Sequence, residues 1–203
     1  MYAVCSQAQT DIATLWKDMP DSIVPILNRS ARTELVTPFK GADSVEVSNA
    51  LGGKTKMIKL SNKFLDIKLT NASGLQLLLL TKSDSTQIIC MERSFGSPAL
   101  ESEISFYSTD WTRIDNSFGV PNLNDAKLLK EVIMVRPDSI SEAKSQSITN
   151  ILNPLMAKAE LSEANGGTLT LSIGTTFLTE EEKNLLKSGI WLKELKWNGV
   201  FFK

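Results

Sequence analysis

One short run, Ser105-Phe-Tyr-Ser-Thr-Asp-Trp111, sets out a phenol, a carboxylate and an indole close together at the end of a strand-like segment. Tyr107, Asp110 and Trp111 are side-chain types suited to sugars and peptides: each ring offers an apolar face with a polar handle, and the acid accepts hydrogen bonds. Glu92 stands on an earlier strand-like segment that can face them. Two carboxyl groups flanking one bond at a suitable separation are the equipment of a glycoside hydrolase. No spacing in the sequence fixes that separation, so ordinary packing around an Asp-containing turn competes with it. Trp197 belongs to a C-terminal aromatic group with Trp191, Phe201 and Phe202. Such a group either fills the inner face of a sheet or leaves a patch for a partner. Glu92, Tyr107, Asp110, Trp111 and Trp197 are therefore the candidate ligand- or partner-contacting residues. No residue is assigned to catalysis, a cofactor or a metal.

What the chain lacks narrows the chemistry. Among its 203 residues there is no histidine. That removes the commonest proton shuttle near neutral pH and every nucleophilic triad built on an imidazole base. Cys5 and Cys90 are the only thiols, too few for a thiolate zinc site. A net charge of −1 offers no basic excess for nucleic acid. No apolar run approaches a membrane span. Gly52-Gly53 is followed by Lys54-Thr55 but runs into strand periodicity rather than a helix, and Gly166-Gly167 lacks both the Lys and the helix, so both pairs read as turns and not as a phosphate loop. Glu180-Glu181-Glu182 stands at a helix start, where acids complement the helix dipole. Asp21 and Asp138 read as helix caps.

Residues 1–9 read as the remnant of a signal peptide or a tail. Ser6-Gln7-Ala8 has the small-x-small pattern before a cleavage site, which places the mature start near Gln9. Cleavage would leave Cys90 alone, and Ile88-Ile-Cys-Met91 predicts burial for it.

The elements follow from periodicity. Ile12, Leu15, Trp16 and Met19 have helical spacing, and Pro20 ends that helix. Asp21 is expected to cap a short helix over Ile23 to Leu27, with another from about Ser30 to Thr37. From Ser44 the period becomes two. Met57, Leu60, Leu65, Ile67 and Leu69 alternate with polar residues; Leu75 to Leu80, Gln87 to Arg93 and Glu103 to Ser108 read as strands. Short polar turns between them predict an antiparallel meander. Phe118 to Asp125 reads as a loop. Leu128 to Val135 reads as strand, with helix as the competitor. Ser139-Ile-Ser-Glu142 is a capping box, opening a helix whose apolar face runs from Ile148 to Ala159, with Pro154 kinking or dividing it. Thr168 to Ile173 reads as strand, and Thr179-Glu-Glu-Glu182 opens a short helix. Ile190 to Lys203 reads as a hairpin with Asn198-Gly199 as its type I′ turn.

The fold class expected is α+β, with antiparallel meander sheets packed against helices. Two matched stretches raise an internal duplication. Pro-Asp-Ser-Ile occurs at Pro20 and again at Pro137; Ser-x-Ala-x-Gly-Gly occurs at Ser48 and at Ser162. The offsets nearly agree, and each time a helix signal precedes a glycine pair and a strand. Capping and turn chemistry explain both matches equally well. The corresponding division is 10–120 for a first α+β half and 121–203 for a shorter second, with one continuous domain as the alternative.

Trp16-Lys-Asp-Met-Pro-Asp-Ser-Ile-Val-Pro-Ile-Leu27, with Asn49-Ala-Leu-Gly-Gly53, Ile88-Ile-Cys90, Phe106-Tyr-Ser-Thr-Asp-Trp111, Leu178-Thr-Glu-Glu and Trp197-Asn-Gly, resembles an uncharacterised family of exported proteins from Bacteroidales. The resemblance spans most of the chain and implies export and an α+β fold. It supplies no activity and no site residues. The short N-terminal apolar stretch departs from that pattern.

These observations lead to the expectation of an exported, non-catalytic binding or interaction protein, periplasmic or outer-membrane associated. Its partner would be an unidentified protein or glycan. A carboxylate-dependent hydrolase acting on glycans and a structural subunit of an envelope assembly are the alternatives.

Overall fold

The computed structural model describes residues 10–37, 45–96, 101–125, 156–174, 179–186 and 192–203, together with isolated positions 127, 129, 141–142, 146–147 and 150. The elements in chain order are α1 (Ile12–Asp18), α2 (Arg29–Leu35), β1 (Glu46–Ser48), β2 (Lys54–Leu60), β3 (Phe64–Thr70), β4 (Ser73–Thr81), β5 (Gln87–Phe95), β6 (Glu101–Ser108), β7 (Arg113–Ile114), β8 (Ala157–Ser162), β9 (Thr168–Ile173), α3 (Glu180–Leu186) and β10 (Leu192–Lys196). The first seven strands form one sheet in sequence order; β10, β9 and β8 form a second, in that order. Every pairing is antiparallel. The architecture is broadly α+β and dominated by sheet. No helix among the described residues is long and apolar enough to cross a membrane.

Strand geometry explains the layering. Successive side chains point to opposite faces, so a strand apolar at every position is buried on both. On β4, Leu75, Leu77 and Leu79 join Ile12, Leu15, Trp16, Met19 and Leu27 of the helical segment. Leu78 and Leu80 join Ala159, Leu161, Leu169, Leu171 and Trp197 of the second sheet. The large sheet is thus the middle of three layers. Each fully buried Leu contributes about 1.5–3 kcal/mol, so these two faces hold the fold. A helix as short as α1 is marginal alone. Asp11 caps it by accepting from the Thr14 amide at 2.6 Å, and Ile12, Leu15 and Trp16 bury its inner face. Phe64, Leu78, Cys90 and Phe106 share one core with Leu161, Leu171 and Phe202, so residues from both sides of position 120 build it.

Three local expectations need correction. Ile23 to Leu27 is not a helix but two successive turns, closed by Ile23 N–H to Pro20 O at 3.1 Å and Leu27 N–H to Val24 O at 3.1 Å. Asp21 does not cap; it accepts from Arg32 Nη1 at 2.7 Å. The Arg32 guanidinium also donates to Leu27 O at 2.6 Å and Met19 O at 2.5 Å, so it satisfies carbonyls that a helix would have used internally. Ala159 is not on a helical face. It lies on β8, where Ala157, Ala159 and Leu161 point inward and Glu160 outward. Met156 to Ala159 is too short to separate the two periods. Asn198-Gly199 is not a two-residue turn either. The bridge joins Trp197 to Phe202, and Asn198 Oδ1 accepts from the amides of Val200 and Phe201, both at 2.9 Å. That side chain closes a wider loop than the type I′ geometry allows.

The expectations for 1–9, for most of Leu128 to Val135, for Pro137 and Asp138, for Trp191 and for most of the helix opened at Ser139 fall outside the described residues; Leu129 is helical rather than extended, its amide donating to Asp125 O at 2.9 Å, as the competing reading had it.

Candidate functional site

The turn after β6 is built by its own polar groups. Asp110 accepts from the hydroxyl of Ser108 and from the Thr112 amide, and these bonds hold its carboxyl below the usual range. The Trp111 amide donates to Ser108 O at 3.0 Å, and Trp111 takes a φ of +67°. That conformation costs a bulky residue energy. The tertiary contacts offset it. The Trp111 ring is buried, and its Nε1 donates to Leu15 O at 3.0 Å, midway along α1. Tyr107 lies beside it, ring centroids 5.6 Å apart. Tyr107 and Trp111 therefore meet, but as a clamp between sheet and helix. Asp110 is exposed in the turn they form.

Trp197 is also buried. Its Nε1 donates to Thr81 O at 2.8 Å, and it packs edge-on to Phe202 and Phe118 at 5.3 and 5.9 Å. The C-terminal aromatics divide, since Phe202 is enclosed while Phe201 and Val200 remain exposed.

Glu92 is placed elsewhere. It lies on β5 between the two sheets, 2% exposed. In register across the large sheet stand Asp66, Gln76 and Glu92 on β3, β4 and β5. This polar row meets the edge of β8. Ser102 Oγ donates to Glu92 Oε1 at 2.6 Å and accepts from the Ala159 amide at 2.9 Å. Gln76 accepts from the Leu161 amide at 2.8 Å and donates to Asp66 Oδ2 at 3.2 Å. Side chains of one sheet thus satisfy backbone donors of the other, which would otherwise be costly to bury. Burial pushes the Glu92 carboxyl up to about 7, against the lowering bond from Ser102; Asp66, Lys158 and Glu160 add smaller effects. Burial raises Asp66 as well. Cys90, on the same face, is a free and enclosed thiol whose ionisation burial opposes.

Glu92 and Asp110 do not converge. Glu92 pairs with Ile104 in the middle of β6, whereas Asp110 lies beyond the end of that strand. Glu92 also points to the face opposite Tyr107, which packs on the helix side. The five candidates therefore occupy three places: the clamp with its turn, the polar row, and the aromatic cluster under β10. Asp66, Gln76 and Ser102 went unnoticed in the sequence. A signal existed at Gln76, a polar residue inside Leu75-Gln-Leu-Leu-Leu-Leu80, since a polar side chain in an apolar run is the informative exception.

Two larger concave surfaces lie beside these clusters. A groove of about 530 Å³ separates the Val24-Pro25-Ile26 turn from the ends of β4 and β5, with Leu51, Phe95, Arg93 and Glu103 on its walls. Leu51 is 71% and Phe95 46% exposed, two open apolar side chains beside the polar Arg93 and Glu103. A cleft of about 490 Å³ runs beside β6, between Ser102 to Phe106 and the segments Arg113 to Ser117 and Val120 to Asn124.

No curated protein matches this chain. A solved structure of a domain of an uncharacterized protein from Porphyromonas gingivalis W83 is similar in fold, with a TM-score of 0.72 and 21% identity, covering 95% of this chain and 96% of that one. Residues 3–202 match the family described as "Protein of unknown function (DUF3256)". That span takes in every element of both sheets, and the chain belongs to that family.

Proposed function

We propose that this chain is an exported, non-catalytic binding module of the cell envelope, and that it takes a protein partner. The observation that carries this is the groove edged by Leu51 and Phe95. Two large apolar side chains are held open to water beside a concavity of 530 Å³, with Arg93 and Glu103 at hand for orientation. Apolar anchors with a polar margin are the composition of a protein-binding surface rather than a sugar platform. The carboxyls that could have served a hydrolase are sealed between the sheets or tied up in a turn, which favours binding over glycan cleavage. In keeping with an internal duplication, Gly52-Gly53 and Gly166-Gly167 both lie in turns that open strands, β2 and β9. Superposing the two turns with their flanking strands tests that kinship.

The test places a photo-crosslinking side chain at Leu51, at Phe95 or at exposed Lys203, in cells that make the protein. Discrete protein adducts from the first two positions and none from the third are expected. Adducts indifferent to position, or carbohydrate in place of protein, would refute it. Fractionation of the same cells places the chain in the envelope or overturns export. A stoichiometric complex that persists through detergent extraction would identify an assembly subunit instead.

A further inference from the structure

We infer that the outer edge of β6, at Ser102 and Ile104, accepts an extended peptide with Lys or Arg at alternate positions, which adds to the large sheet as a further strand. The site shares Glu103 with the wall of the Leu51–Phe95 groove but does not require that groove to be occupied.

The first ground is the backbone. β7 pairs only with Phe106 and Tyr107 of β6. The Ser108 amide points to the β7 side, donating to Thr112 O at 3.0 Å. Alternate residues share that direction, and β6 runs against β5 without a register shift. The amides and carbonyls of Ile104 and Ser102 therefore aim outward, beyond the end of β7. Among the described residues no backbone group pairs with them. A row of unpaired backbone groups at a sheet edge is a template for another strand.

Room is the second ground. The cleft beside β6 runs along this edge, with Pro121, Asn122 and Asn124 standing off on its far side. At about 3.3 Å per residue, four added residues would span roughly 13 Å, the reach of the part of β6 that β7 does not pair with.

The third ground is charge. Glu101 and Glu103 are exposed on the helix-side face of this edge. No ion pair of the described residues uses either. A second copy pairing edge to edge would set these acids against themselves, and like charges facing across strands destabilise. A strand carrying Lys or Arg on that face meets them favourably. Its intervening side chains would lie on the other face, near Ile104, Leu123 and Val120, and so would be apolar.

The experiment titrates isotopically labelled protein with a capped six-residue peptide alternating Lys and Val, followed by amide shifts and hydrogen exchange. Saturable shifts centred on Glu101 to Ser105 are expected, with exchange of the Ile104 amide slowed about tenfold or more. A Glu–Val peptide should bind about tenfold weaker or worse, and Glu101→Lys, which leaves the groove lining intact, should erase or reverse the preference. N-methylation along one edge of the Lys–Val peptide should abolish binding, and along the other leave it intact. Shifts centred on Leu51 and Phe95 would overturn the assignment of place. Indifference to which edge is methylated, or no saturable binding, would overturn strand addition. Neither result bears on the crosslinks from Leu51.

Discussion

Replacing Glu92 with Gln should change how stability depends on pH. In the folded chain the Glu92 carboxyl holds its proton to about 7, against an ordinary value of 4.5. A raised acid pKa means that the native state binds the proton more tightly than the unfolded state. Stability therefore falls as pH rises from about 4.5 to about 7 and levels off above that. The difference corresponds to about 3 kcal/mol at most. Four other carboxyls among the described residues depart from their ordinary values. There is no histidine. Asp84, Asp110 and Glu163 are held low by hydrogen bonds, so their stabilisation is lost only at more acid pH. Asp66 is raised and acts in the same direction as Glu92, starting from a lower ordinary value of 3.8. Gln keeps the shape and the acceptor for Ser102 without the charge. The variant should match the parent near pH 5 and exceed it near pH 8 by up to about 3 kcal/mol, or roughly 6–12 °C in Tm for a chain of this size. Urea unfolding at intervals across that range measures it. A difference independent of pH, or a parent that gains stability towards pH 8, would refute the reasoning.

Other substitutions probe the clamp and the turns. Arg32→Leu should cost about 2–4 kcal/mol by leaving the Met19 and Leu27 carbonyls buried without a donor, seen as a lower urea midpoint. Trp111→Phe keeps most of the ring but orphans Leu15 O, for about 1–2 kcal/mol, whereas Trp111→Ala should cost about 3–5 kcal/mol through the cavity it opens. Gly119→Ala should destabilise, because Gly119 has a φ of +81° and an added Cβ would collide with the carbonyl of Phe202; loss of exchange protection at the Phe202 amide would report it. Cys90 should resist iodoacetamide in the native protein and react once denaturant opens the sheets, as peptide mapping by mass spectrometry would record.

Much of the sheet was legible because its signals are local. Alternation and polar turns mark β2 to β6 and β9 without reference to anything distant. The apolar spacing of α1 and the helix opened after Thr179 are equally local. The errors arose where a remote partner decides. Asp21-Ser-Ile after Pro20 has good capping chemistry, yet Arg32 holds that segment in turns. Ala159 fits helix and strand alike until β9 pairs with it. The candidate site was least legible. Type and spacing single out Glu92, Trp111 and Trp197, but whether such a side chain faces solvent or a second sheet is set by register. Asp66, Gln76 and Glu92 become neighbours only once three strands align. Where the β6 pairing ends likewise depends on β7 stopping after two residues.

The seating of β8 on side chains of the large sheet also bears on the order in which the chain comes together. Each strand of the meander pairs with its sequence neighbour, so those contacts close small loops. Ser102 meets Ala159 across 57 residues, and Gln76 meets Leu161 across 85. The entropy of loop closure favours the meander first. While the chain is being synthesised, the face bearing Leu78, Leu80, Cys90 and Phe106 has, of its later partners among the described residues, only those from β7 to Leu129, Phe118, Val120 and Leu123 among them, until β8 and β9 have emerged. A chaperone that shields apolar strands would have its longest engagement during that interval.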